Sequence, residues 1–311
     1  MATPPARRQH LLLPEHSVSE AFRLILAHNL TQLEQWVPVA MAGEDIEGVH
    51  QARVALRRMR SALSLFRRAI PVELTAPWGE EMRWAASLMG AARDLDVFLS
   101  EGLAAMNGRI PLAEGETLLR QRLLQRREEA YTQVRLSLGG ERYARFAGGL
   151  RTWLDNRGWF ETDLPAATRV RMQKPVRPFA SAVIEKRVTR VLQNGEGILE
   201  LSPEALHALR IECKKLRYAT EFFSGLFDPV RMAEFTKLLK GLQDLLGIMN
   251  DVAVLPALLH GVLQGSDLPT ARDYAHAAIG WRAREYEEVR NQLGPRWQAF
   301  AGSLHPWLGM V

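Results

Sequence analysis

The chain carries one basic helical pattern twice, and this duplication limits what it can fold into. Residues 49–60 read VHQARVALRRMR and residues 206–217 read LHALRIECKKLR. Each copy places a basic residue at +3, +7, +8 and +10 from a histidine. The first copy is His50, Arg53, Arg57, Arg58 and Arg60; the second is His207, Arg210, Lys214, Lys215 and Arg217. The offset is 157 residues, and it continues without a gap: Phe66 falls on Phe223, Arg83 on Lys240, Gly90 on Gly247 and Asp94 on Asp251. Packing positions and charge recur together, which predicts two copies of one helical unit and one site built from both.

At about 100° per residue, His50, Arg53, Arg57 and Arg60 share an arc of roughly 80° on a helix. Val54, Leu56, Leu63 and Phe66 lie mostly away from it. Between Gly48 and Val72 there are six arginines and no carboxylate. A solvated helix ordinarily intersperses both signs. Uncompensated cations on one face therefore point to an anion, and arginine's planar fork suits phosphate. The plainer explanation is a solvated basic face, or arginines paired with carboxylates from other helices.

A chain of 311 residues with 47% hydrophobic and 24% charged residues can bury a substantial core. Its net charge is only +5. The basicity is local, which favours a defined anion site over a polycationic tail. Cys213, the single cysteine, excludes an intrachain disulfide, and its counterpart Leu56 marks it as a small buried hydrophobe. The N-terminal leucine run is too short for a signal-peptide core, and no apolar run is expected to span a bilayer. The cytoplasm is the expected compartment.

No segment alternates with period two, so the expected fold is all-α, and long helices joined by short turns imply antiparallel bundles. Ser17, Thr75, Ser202 and Asp228 read as helix caps. The punctuation predicts helices near 17–37, 46–70, 77–106, 113–137 and 141–157, then 179–196, 203–226, 230–263, 268–293 and 295–308. The first repeat spans 17–157 and the second 179–309. The proline-containing basic segment 158–178 reads as a solvated crossover, or as an arm that closes over an anion.

The chain resembles the CHAD family, the conserved-histidine α-helical domain. The likeness rests on the helix from His50 to Arg60, LMGAARDLDVF at 88–98, ERYARFAGGLRTWL at 141–154, LHALRIECKKLRYATEFF at 206–223 and LKGLQDLLGIMNDVAVL at 239–255. The resemblance implies two antiparallel helical-bundle repeats related by pseudo-two-fold symmetry, with a central basic groove, and binding of inorganic polyphosphate without catalysis. Polyphosphate granules are then a destination. On this reading the ligand contacts are His50, Arg53, Arg57, Arg58, Arg60, Arg83, His207, Arg210, Lys214, Lys215, Arg217 and Lys240. Arg23, Lys186, Arg187 and Arg190 are candidates to extend the groove.

Two other chemistries use the same residues. Nucleic-acid backbone binding needs the same cations, but single-strand recognition interleaves aromatic platforms; only Tyr218 adjoins the basic arc. A histidine phosphotransferase or a metal-dependent phosphohydrolase would use His50, His207 or Asp94, Asp96 and Asp251. Cations around both histidines oppose metal binding, and the acids at 93–96 and 250–251 read better as braces between helices. No cofactor, metal or membrane partner is expected.

Overall fold

The computed structural model describes residues 11–106, 108–160 and 163–308; the last residue of the second repeat, 309, lies outside them. Within these residues the regular structure is helical, with one isolated antiparallel bridge between Ser17 and Pro175. Helix α1 (Val18–Ala42) opens on Ser17, whose hydroxyl accepts the Glu20 N–H, and ends at Gly43 with φ 75°. Helix α2 (Ile46–Phe66) opens on Asp45, whose carboxylate accepts the Glu47 N–H at 2.8 Å. Then follow α3 (Val72–Leu88), α4 (Gly90–Val97), a π-helical turn at 98–102 and α5 (Leu103–Met106). Helices α6 (Ala113–Leu138) and α7 (Glu141–Asp155) complete the first half. The second half holds α8 (Ala166–Gln173), α9 (Val176–Asn194), α10 (Pro203–Phe223), α11 (Pro229–Leu263) and α12 (Pro269–Ala301). Ser202 and Asp228 cap α10 and α11 with side-chain acceptors, each followed by proline in the first turn, where a missing N–H costs nothing.

Helix ends reproduce the sequence offset. The basic helices α2 and α10 differ by 157 at both ends, and α3 and α11 begin 157 apart. Further on, the halves diverge. The expected helix 77–106 starts earlier, at Val72, with Pro77 inside it, and breaks at Met89 (φ −90°, ψ 1°). Thr75 is therefore no cap; its hydroxyl donates to the Val72 carbonyl. The corresponding stretch of α11 runs unbroken. Conversely, Gly139-Gly140 separates α6 from α7, whereas α12 passes straight through Pro295 and joins two helices expected to be separate. The carbonyl that Pro295 leaves unpaired belongs to Asn291, an exposed residue that water can reach.

The segment 158–178 is largely exposed but anchored at a few points. Trp159, Met172 and Val176 are fully buried, and backbone bonds Val18 N–H to Lys174 O and Val176 N–H to His16 O tie it to the start of α1. One continuous core runs from Leu12 to Trp307 and takes side chains from both halves. At its centre Phe66 packs on Phe223 (ring centroids 5.9 Å), Phe22 on Phe66 (5.4 Å) and Phe179 on Phe223 (6.3 Å). Phe22 and Phe179 are themselves 157 apart, so two matched pairs lock the basic helices against each other. A second core, from Leu95 to Ala278, joins α4–α6 to α11 and α12. Gly115 permits this crossing, since a Cβ there would lie 2.4 Å from the Thr270 carbonyl. Gly90 and Gly247 do not share such a role: a Cβ on Gly247 would meet open space.

Helix α11 corrects one expectation. Its 35 residues contain a window of mean hydropathy 1.6, long and apolar enough by composition to cross a bilayer. It packs instead on α10 and α12, burying Met232, Phe235, Leu239, Leu242 and Leu246 in the core.

Candidate anion-binding groove

Because α2 and α10 pack side by side, the later turns of both basic patterns open onto one cavity of about 600 Å³. Arg57, Arg60 and Arg83 line it from the first half, and Arg187, Lys214 and Lys215 from the second. Glu80 is the one carboxylate among its lining residues. Burial, and then Arg210 and Arg57, push the Lys214 ammonium down to about 8. Arg60 feels Arg83 in the same sense. The Nε–H groups of Arg57 and Arg210 are buried without a hydrogen-bond partner. An unsatisfied buried donor costs about 1–3 kcal/mol, which an anion accepting from it would remove.

The first residues of each pattern do different work. His207 lies on the exposed side of α10, and its Nδ1 meets Asn250 Oδ1 at 2.7 Å. Asn250 donates to Asp251, which faces Arg210 at 3.9 Å. In the other copy Arg53 donates to the Ala86 carbonyl and is attracted by Asp94. Partial burial raises the Asp94 carboxyl, Arg53 and Arg93 oppose that rise, and Asp251 adds to it. The acids at 94 and 251 thus contribute attraction to Arg53 and Arg210, while the Ala86 carbonyl fixes Arg53. His50 is half-buried, and burial followed by Arg93 lowers its proton affinity. Neither histidine lines the cavity.

Several other expected contacts point elsewhere. Arg58 pairs with Glu221 at 2.7 Å and covers the Phe222 ring, bracing one half on the other. Arg217 faces the same Glu221 at 3.4 Å and lies over Tyr218. Arg23 pairs with Glu20 at 2.7 Å on α1. Lys240 is exposed on α11, outside the cavity. Lys215 reaches the cavity while paired with Glu212. Apart from Lys240, these cations meet carboxylates that are distant in sequence or on an adjacent turn. Asp96 lies buried, bonded to Arg127 and Tyr131, as a brace between α4 and α6.

The CHAD domain model matches residues 24–260, most of the chain. The chain belongs to the CHAD family. A crystal structure of the CHAD domain from the plant Ricinus communis is similar at TM-score 0.80 and 26% identity, covering 98% of this chain and 99% of that one. PptA from Streptomyces chartreusis shares the fold at TM-score 0.64 and 17% identity, with 91% of this chain and 100% of that one covered. No curated protein sequence matches. CHAD proteins as a family are associated with polyphosphate binding.

Within this CHAD domain, a second cavity of about 500 Å³ adjoins the first, sharing Ser64, Leu65, Arg67 and Arg187. Lys186, Arg187 and Arg190, candidates from the sequence, line it. Arg67, Arg68 and Arg171 also line it and are not among the contacts expected from the sequence. The signal for the first two was present, as the last arginines of the acid-free stretch 48–72. Arg171 lies in the basic segment 158–178 that the sequence offered as an arm over an anion, and the fold brings its guanidinium to the Arg68 carbonyl.

Proposed function

We propose that this protein binds inorganic polyphosphate, without hydrolysing it, in the composite groove between α2 and α10. The single observation that carries this reading is the convergence of Arg57, Arg60 and Arg83 with Arg187 and Lys214 on one cavity, with orphaned guanidinium donors beside it. A flexible polyanion satisfies many such donors at once, each charge-assisted bond contributing about 1.5–3 kcal/mol. Tyr218 and Phe179, the aromatics among the lining residues, are respectively 1% exposed and packed on the core, a poor platform for stacked bases. Neither His50 nor His207 lines the cavity, so a histidine nucleophile would stand apart from the bound phosphates. In competition binding at near-physiological salt, long polyphosphate is expected to displace a labelled polyphosphate more effectively than single-stranded DNA, duplex DNA or orthophosphate. Chain length on a gel should be unchanged after incubation with divalent metal. Steady orthophosphate release by the pure protein, lost on changing His50 or His207, would replace this reading with a catalytic one.

Lys214 gives the binding a pH signature. Its proton affinity in the free protein is lowered to about 8, and a bound polyanion raises it, so binding takes up a proton above that pH. Affinity is expected to fall between pH 7 and 9 by up to about tenfold, the loss of one charge-assisted bond. Folding responds with the opposite sign. Between about 8 and the ordinary lysine value of 10.5 the unfolded chain holds more protons, so this residue's contribution raises stability with pH. Lys214→Arg, permanently charged, should flatten the binding profile. An unchanged profile in that variant would exclude Lys214 as the titrating group.

A further inference from the structure

We propose that the groove has one working arm: a polyphosphate chain leaving the central cavity continues over α9 through the second cavity, with no equivalent path over α1. This rests on the polyphosphate reading and adds a direction to it. The two cavities share four lining residues, so the path between them is continuous. Among the described residues, six cations line the second one, Arg67, Arg68, Arg171, Lys186, Arg187 and Arg190, and no carboxylate does. Among the described residues, Arg67, Arg68, Lys186 and Arg190 have no carboxylate within ion-pair distance. Arg187, largely buried, donates to Ser64 at 3.0 Å and faces Glu212 at 3.5 Å, which holds it at the junction. Neighbouring Arg68, Arg190 and Arg67 repel the Lys186 charge, and its proton affinity falls accordingly. Such crowding is relieved by an extended anion, which can meet several cations in turn.

The 157-residue offset shows why the other half cannot do this. Lys186, Arg187 and Arg190 correspond to Asn29, Leu30 and Leu33, all buried in the core side of α1. Arg67 and Arg68 correspond to Ser224 and Gly225. Ser64, on the floor of the shared junction, corresponds to Glu221, whose carboxylate already engages Arg58 and Arg217. One end of the doubled site is therefore cationic and open, and its counterpart has no cation at the matching positions of α1 and holds an acid already paired with Arg58 and Arg217. A ligand with identical ends meets a site that is not symmetric.

The test uses the full chain with Lys186→Glu and Arg190→Glu together, both on the solvent side of α9. Long-chain polyphosphate affinity is expected to fall on the order of tenfold or more, with a shallower salt dependence, because two phosphate contacts are lost. Tripolyphosphate, short enough to stay in the central cavity, should bind within about twofold of wild type if only distant charge is altered. Arg231→Glu with Lys237→Glu on α11 makes the same change in net charge away from both cavities and should leave long-chain binding unchanged. If the α9 pair behaves like that control while Arg57→Glu with Lys214→Glu removes binding, the arm is wrong and the central site stands. An equal loss from the α9 pair and the control would also overturn the arm, as a general charge effect. If neither groove pair weakens binding, the polyphosphate site itself is misplaced. Lys186→Gln with Arg190→Gln, which neutralises without reversing, guards against a folding artefact and should give a smaller loss in the same direction.

Discussion

Reversing one cation from each half, Arg57→Glu with Lys214→Glu, is expected to abolish long-chain polyphosphate binding while leaving the fold intact, and Arg57→Glu alone is expected to make it more stable. The loss should exceed about 100-fold, since two charge-assisted bonds of about 1.5–3 kcal/mol each are replaced by repulsion. The stability change has the opposite sign because of where these side chains sit. Arg57 raises the cost of charging both Arg210 and Lys214, so the free protein holds like charges together at the junction of α2 and α10. A glutamate at 57 would neighbour Arg210 and Lys214 and relieve that repulsion. Arg57→Glu alone should therefore raise the melting temperature and weaken binding, and the two single variants should not add, because the residues act on a shared anion. Isothermal titration and thermal melting on the same samples check both signs. If Arg57→Glu alone lowers stability and leaves affinity near wild type, the cations are structural and the groove does not hold the anion.

How far the sequence spoke depends on the distance over which each interaction acts. Helix ends are local, and the 157-residue offset carried from VHQARVALRRMR to the matching limits of α2 and α10. The Phe66–Phe223 contact follows from the same offset once the two helices pack. Arg58 was legible as a cation but not as a brace, because its partner Glu221 lies 163 residues away. Arg53 and Arg57 share an arc on α2, yet the Ala86 carbonyl of α3 draws one of them aside. The continuity of α12 through Pro295 was hidden for another reason. A proline reads as a stop unless the orphaned carbonyl faces solvent, and that is set by packing. Charge repeats thus led to the proposed groove, and tertiary pairing decides which cations line it.

Asp96→Ala is expected to be among the most destabilising single changes in the chain, at about 3–5 kcal/mol, the loss expected when one partner of a buried ion pair is removed. The Asp96 side chain is fully buried on α4. It accepts from Arg127 Nε at 2.6 Å and from the Tyr131 hydroxyl at 2.7 Å, both on α6. Arg127 also donates to the Gly43 carbonyl at the end of α1 and lies 4.2 Å from the Tyr131 ring centroid, so three helices meet on one carboxylate. Burial, and then the bond to Asp96, hold the Tyr131 proton well above the ordinary phenol range. Removing the carboxylate strands a guanidinium and a hydroxyl together. The duplication does not supply a spare: the counterparts of Asp96, Arg127 and Tyr131 are Ala253, Arg284 and Glu288, and the last two pair with each other on the surface at 3.2 Å. Asp96→Asn keeps an acceptor for one donor and should lose less. In a Tyr131→Phe background the cost of Asp96→Ala should shrink, because one of the stranded groups is already gone. Urea denaturation of the four proteins measures the cycle. A loss below about 1 kcal/mol for Asp96→Ala, in the range of an exposed pair, would mean that α4 and α6 are held by apolar packing alone.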